Sequence, residues 1–131
     1  MNKRTNYSSG AIWEDKVGYS RAVKVGHHIE VSGTVSSDEN GNVIGKDDAY
    51  AQTKYIIQKI EKALINAGAS LKDVMRTRMF VTDITVFEQY GKAHSEAFSG
   101  IKPCTSMIEV KGLVSSEYLI EIEATAIIIS E

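Results

Sequence analysis

Residues 119–129 read LIEIEATAIII, and their alternation decides the fold. Ile120, Ile122, Ala124, Ala126 and Ile128 are all apolar, while Glu121, Glu123 and Thr125 fill the positions between them. Successive side chains of a strand point to opposite faces, so one face of this strand packs on apolar material and the other carries charge. Such a strand needs a sheet beside it and helices over one face.

The helices are legible upstream. Between residues 49 and 67 the positions Ala49, Ile56, Ile57, Ile60, Leu64 and Ala67 fall on one side of a helix, with Asp47 or Asp48 before it and Gly68 after it. Thr85-Val86-Phe87-Glu88 reads as a capping box opening a second helix that runs to about Phe98, with Phe87, Tyr90, Gly91, His94 and Phe98 as its buried stripe. Residues 19–25 and 28–34 are strand-like and separated by Gly26-His27, a hairpin spacing. Residues 74–82 form another strand, and Pro103 marks a break before a strand over 104–110. The order is ββαβαββ: an α+β domain spanning 1–131, with two helices on one face of a mixed sheet. Residues 1–12 have no period and read as a surface arm, with Trp13 as its anchor.

The same parity assigns faces elsewhere. Met75, Thr77, Met79 and Val81 point toward the helices, leaving Arg76, Arg78, Phe80 and Thr82 on the other face. Cys104, Ser106, Ile108 and Val110 are placed toward the helices, and Thr105, Met107 and Glu109 away from them. Glu30, Ser32 and Thr34 join the helix-free face from the hairpin. That face mixes arginines, carboxylates and small hydroxyls, as a solvated surface would and as an oligomer interface would. Arginine in the central strand favours the interface.

Composition narrows the function. The chain has 131 residues, 43% hydrophobic and 24% charged, which suits one domain. Fifteen Lys and Arg against seventeen Asp and Glu give a net charge of −2, a poor field for nucleic acid or anionic lipid. A single cysteine, no signal-like N-terminus and no long apolar run point to the cytoplasm, away from membranes.

Individual motifs are modest. His27-His28 lacks a third ligand at a metal spacing, so turn histidines are expected and no metal or cofactor is implied. His94 on an apolar helix stripe reads as a core or interface histidine in preference to a general base. Cys104 reads as an inert buried thiol, since no base accompanies it. Glu121 and Glu123 lie about 7 Å apart on one face by strand rise. Either could serve as acid or base, and ion pairing with Arg76 or Arg78 explains them equally well.

Six collinear segments together carry a resemblance: GYSRAVKVG at 18–26, VSGT at 31–34, AQT at 51–53, NAGASLKDVMRTRMFVTDI at 66–84, KPCTSMIEV at 102–110 and LIEIEATA at 119–126. They resemble the Rid family, the reactive-intermediate deaminases also called the YjgF family. The resemblance implies a chorismate-mutase-like fold, a homotrimer whose sheets form a central barrel, and small-molecule clefts between subunits. It also implies hydrolysis of enamines and imines, such as 2-aminoacrylate and its imine, to 2-keto acids and ammonia. Carried over by position, Tyr19 matches a cleft tyrosine, Ser32 and Gly33 with Thr34 beside them match a lining strand, and Glu121 matches the glutamate that positions the attacking water.

The match breaks where the family's active deaminases have Pro-Ala-Arg-Ser, its arginine holding a substrate carboxylate. This chain reads Pro103-Cys104-Thr105-Ser106. Thr105 supplies neither charge nor fork. Gly91 and Met107 stand where asparagine and cysteine are common in that type, so the chain resembles the arginine-lacking branches. The expectation is a self-associating protein whose intersubunit cleft binds a small polar metabolite, as a candidate hydrolase with Glu121 catalytic or as a non-catalytic binding module. Arg21, Arg78 and His94 are candidates for a replacement cation.

Overall fold

The computed structural model describes residues 3–129. Its elements are β1 (Arg4–Tyr7), α1 (Ile12–Val17), β2 (Ala22–Val25), β3 (His28–Val35), α2 (Ala49–Asn66), β4 (Val74–Val81), α3 (Phe87–Phe98), β5 (Cys104–Glu109) and β6 (Ile120–Ile127). From β2 onward this is the expected ββαβαββ order. The strands form one six-stranded sheet in the order β1-β2-β3-β6-β4-β5. Only the β4–β5 pairing is parallel, joined through α3, and the remaining neighbours are antiparallel.

β6 sits between β3 and β4 with Ile120, Ile122, Ala124 and Ala126 buried to 1% exposure or less. They meet Ile56, Ile60 and Leu64 of α2, which are as deeply buried. Each of these isoleucine and leucine side chains contributes about 1.5–3 kcal/mol by leaving water. Asp48 caps α2 by accepting a hydrogen bond from the Ala51 N–H at 2.9 Å, and Gly68 follows the helix at φ +87°. Gln52 is also fully buried on this face. Its amide donates to the carbonyls of Gly45 and Glu117 and accepts from the Leu119 N–H, so a polar group in the core is satisfied and ties α2 to the start of β6.

Several expectations shift. The N-terminal arm holds an edge strand, since β1 pairs with β2, and Trp13, expected to anchor it, is 57% exposed with the Lys16 ammonium 5.4 Å from its ring centre. Glu14 is the buried residue of α1 instead. The buried stripe of α3 is Tyr90, Ala93 and Phe98, whereas Phe87 is exposed. Thr85 does not begin a capping box: the Asp83 carboxylate accepts from the Thr85 N–H, and a short 3-10 turn at Ile84–Val86 precedes α3.

Two bulges and one edge strand change the faces. The register of β4 against β6 slips between Val74 and Arg76, so Val74 is buried and Met75 is exposed. The register of β3 slips between Val31 and Thr34, which turns Thr34 into the core at 1% exposure. In β5 the expected parity is inverted. Thr77 pairs with Thr105 and Arg76 with Cys104 in parallel register, so Thr105 and Met107 share the helix side with Thr77, and exposed Cys104 lies on the other face. The turn entering β5, with Lys102 at φ +55° before Pro103, sets that phase.

Candidate functional site

The bulge in β3 builds the first group of site residues. At Gly33 the backbone lies so close to Glu121 that a Cβ would sit 2.0 Å from a carboxylate oxygen, so only glycine leaves room for this side chain. Glu121 is half-buried on the helix-free face of β6. Burial first, then repulsion from Glu123, raise its pKa above its ordinary value, and the Arg21 guanidinium opposes the rise.

Arg21 is held in place by the same bulge. It donates to the Gly33 carbonyl at 3.2 Å and to Thr34 Oγ1 at 3.1 Å. Its Nε is buried without a hydrogen-bond partner among the described residues. The guanidinium also lies 5.7 Å from the centre of the Tyr19 ring. Ser32 Oγ donates to the Ser20 carbonyl at 2.6 Å, fixing the strand just before Gly33. Lys59 of α2 donates to the carbonyls of Val35 and Ser37, and burial followed by the Arg21 charge lowers its pKa to about 8.

Beside this group lies an open cleft of about 520 Å³ whose walls include Arg4, Glu14, Tyr19, Val23 and Ser32. Arg4 and Glu14 were not signalled by any motif, because their place in the wall depends on β1 pairing with β2 and on the burial of Glu14 in α1. Burial raises the Glu14 pKa, but hydrogen bonds from Ser9 and Ser8 and the Arg21 charge outweigh it and hold the carboxyl ionised.

The second group lies across the sheet. Thr77 is fully buried on β4, and its Oγ1 is 2.8 Å from His94 Nε2 on α3 and 2.6 Å from Thr105 Oγ1 on β5. His94 is half-buried, stacks 4.6 Å from Phe98, and is shifted below the ordinary imidazole pKa by burial. Met107 packs at the margin of the core, and the position of Gly91 on α3 opens onto free space.

The structure thus brings Tyr19, Arg21, Ser32, Gly33, Thr34 and Glu121 together, and separately His94 with Thr105. Glu121 and Thr105 lie on opposite faces of the sheet within one chain. Thr105 does not occupy the helix-free face expected of it, because β5 enters in the opposite phase. Arg78 lies 3.8 Å from Glu123 across the strands, a long and exposed ion pair on the helix-free face. Thr77 was missed as a site residue, since its partners are 17 and 28 residues away and no local pattern marks them. Among the described residues no group of three or more His, Cys, Asp or Glu is placed to hold a metal ion, and no helix is long and apolar enough to cross a membrane.

A mixed α+β sheet with two helices over one face and a glutamate seated on a strand glycine defines a small-domain class. The family model described as Endoribonuclease L-PSP matches residues 11–128, and the chain belongs to this family, the YjgF/Rid group. The chain is similar to the crystal structure of a YjgF/YER057c/UK114 family member from Mycobacterium tuberculosis, at a TM-score of 0.88 and 46% identity over 96% of this chain and 100% of that one. It is 39% identical to a RutC family protein of Pyrococcus abyssi over 82% of this chain and 84% of the relative. It is 36% identical to the 3-aminoacrylate deaminase RutC of Acinetobacter baylyi over 82% of this chain and 85% of that protein.

Proposed function

We propose that this protein hydrolyses a small imine or enamine in a cleft between copies of the chain, with Glu121 holding the attacking water. The observation that carries the proposal is the seat of Glu121. Its carboxylate rests on Gly33, in the space that a side chain there would take, and burial raises its pKa, which favours a carboxyl that both takes and returns a proton. Arg21 and Tyr19 shape the adjoining wall.

Self-association into a trimer is part of the reading. Glu121 lies on the helix-free face and Thr105 on the helix side, so a cleft containing both takes them from two neighbouring subunits. The relative named as a 3-aminoacrylate deaminase supports the reaction class. RNA cleavage, suggested by the family description, finds little support in a net charge of −2.

A second reading, binding without chemistry, is favoured by Thr105 at the position where an arginine would hold a carboxylate. Ammonia release from a panel of freshly generated imines, including 2-iminopropionate, separates the two. Turnover that disappears in Glu121→Ala supports the hydrolase. Saturable binding with no ammonia from any imine selects the binding module, and turnover of 2-iminopropionate equal to that of an arginine-bearing relative overturns the reading of Thr105.

A further inference from the structure

His94, Thr77 and Thr105 form a continuous hydrogen-bonded line from a half-buried imidazole, through a fully buried hydroxyl, to an exposed one. A hydroxyl has one proton, so Thr77 donates to one neighbour and accepts from the other. The line is therefore directional. Either His94 donates inward and Thr105 presents a donor to the outside, or Thr105 donates inward and presents a free lone pair. Which of these holds is set by the imidazole tautomer, and both leave the line without net charge.

We propose that this relay makes Thr105 the recognition point for an uncharged polar group of the ligand, an amide or hydroxyl, and that Thr77 and His94 act as positioning residues behind it. A primary amide carries both a carbonyl acceptor and an N–H donor, so it satisfies Thr105 in either direction. A carboxylate accepts only, and within the relay its charge is balanced only by an imidazolium. Burial of His94 opposes that charged form. The relay thus suits an imine, enamine or related compound whose end group is an amide or alcohol, where a bidentate arginine would suit an acid.

This inference rests on the cleft reading above, and the test separates the two. The full chain in its solution assembly, with threonine, methionine and isoleucine methyls and backbone amides labelled, is titrated with lactamide and with lactate and followed by NMR. Lactamide should shift the Thr105 and Thr77 methyls and saturate at roughly tenfold lower concentration than lactate, the equivalent of one net hydrogen bond. Thr77→Val keeps the side-chain shape but deletes the relay hydroxyl, and should abolish the preference. Thr77→Ser should retain it. If Thr77→Val does not fold, His94→Leu cuts the same line from its other end.

Equal or tighter binding of lactate at Thr105, or a preference that survives loss of the relay, overturns the inference. Shifts confined to Gly33 and Glu121 also overturn it while leaving the cleft reading in place. If neither probe moves either group of residues, both readings fall.

Discussion

The two groups of site residues are built by opposite means. Around Glu121, two central strands and a bulge press charged groups together, and a missing side chain at Gly33 makes the space. Around Thr105, an edge strand and a helix hold three groups that stay neutral together. A bulge in mid-sheet is clamped on both sides, so it fixes a charge whose position matters and tolerates the desolvation cost. An edge strand has an open side, which suits contact with a ligand or a neighbouring subunit.

The largest break in that comparison should come from Gly33→Ala. The new methyl group takes the place of the Glu121 carboxylate, which has a flexible stem and swings away. Turnover or ligand response at Glu121 should fall by about a hundredfold or more, the scale of losing one well-placed catalytic group. Stability should change by less than about 1 kcal/mol, because a side chain moves and no backbone does. An assay paired with thermal denaturation checks both.

Arg21→Met comes next. It strips partners from the Gly33 carbonyl and Thr34 Oγ1 and should cost about 1–3 kcal/mol in denaturant unfolding. The Glu121 carboxyl should also titrate higher, since the guanidinium is the charge that holds it down.

The pH dependence sharpens the contrast, because the two groups have opposite signs. Glu121 has a folded pKa above its ordinary value of 4.5, so the folded state binds more protons there. Its favourable contribution is complete below about pH 4.5 and is lost as pH rises through the folded pKa. Glu121→Gln should therefore raise the melting temperature at neutral pH, with the gain vanishing in acid. His94 has a folded pKa below its ordinary value of 6.5, so its contribution is complete above that value and is lost as pH falls toward the folded pKa. His94→Gln should remove that acid-side slope. Melting curves of the three proteins across pH, with NMR titration of the imidazole, test the signs.

The smallest effect should be that of Arg78→Ala. Its pairing with Glu123 is long and over 40% exposed on both sides, and losing it should cost no more than about 0.5 kcal/mol at moderate salt. A larger loss would mean that this face is covered in the assembly.

Much of the fold was legible in strong local patterns. The α2 stripe with Asp48 before it and Gly68 after it, the Gly26-His27 hairpin and the alternation of β6 appear in the structure as expected. Weak or conflicting patterns were not. β5 carries Ile108 on one parity and Met107 on the other, so burial preference could not choose a face, and an edge strand with exposed residues on both sides exerts little pressure to choose. β1 is four residues of polar and aromatic character that gain a partner only when the chain folds back on β2. The bulges at Val74–Arg76 and Val31–Thr34 each moved one expected residue to the other face.

For the site, the sequence by itself determined the residue types: a glutamate in the last strand, a glycine in the hairpin strand, an arginine near the start of β2, and a threonine in place of an arginine after Pro103. It also determined the strand and helix order from β2 onward, because periods of 2 and 3.6 are properties of neighbouring residues. Only the tertiary structure decided that Thr105 faces the helices, that Arg78 stands beside Glu123, and that Thr77 joins His94 to Thr105. Those outcomes depend on register between strands distant in sequence, where a shift of one residue reverses every side chain and no local pattern records which choice is made.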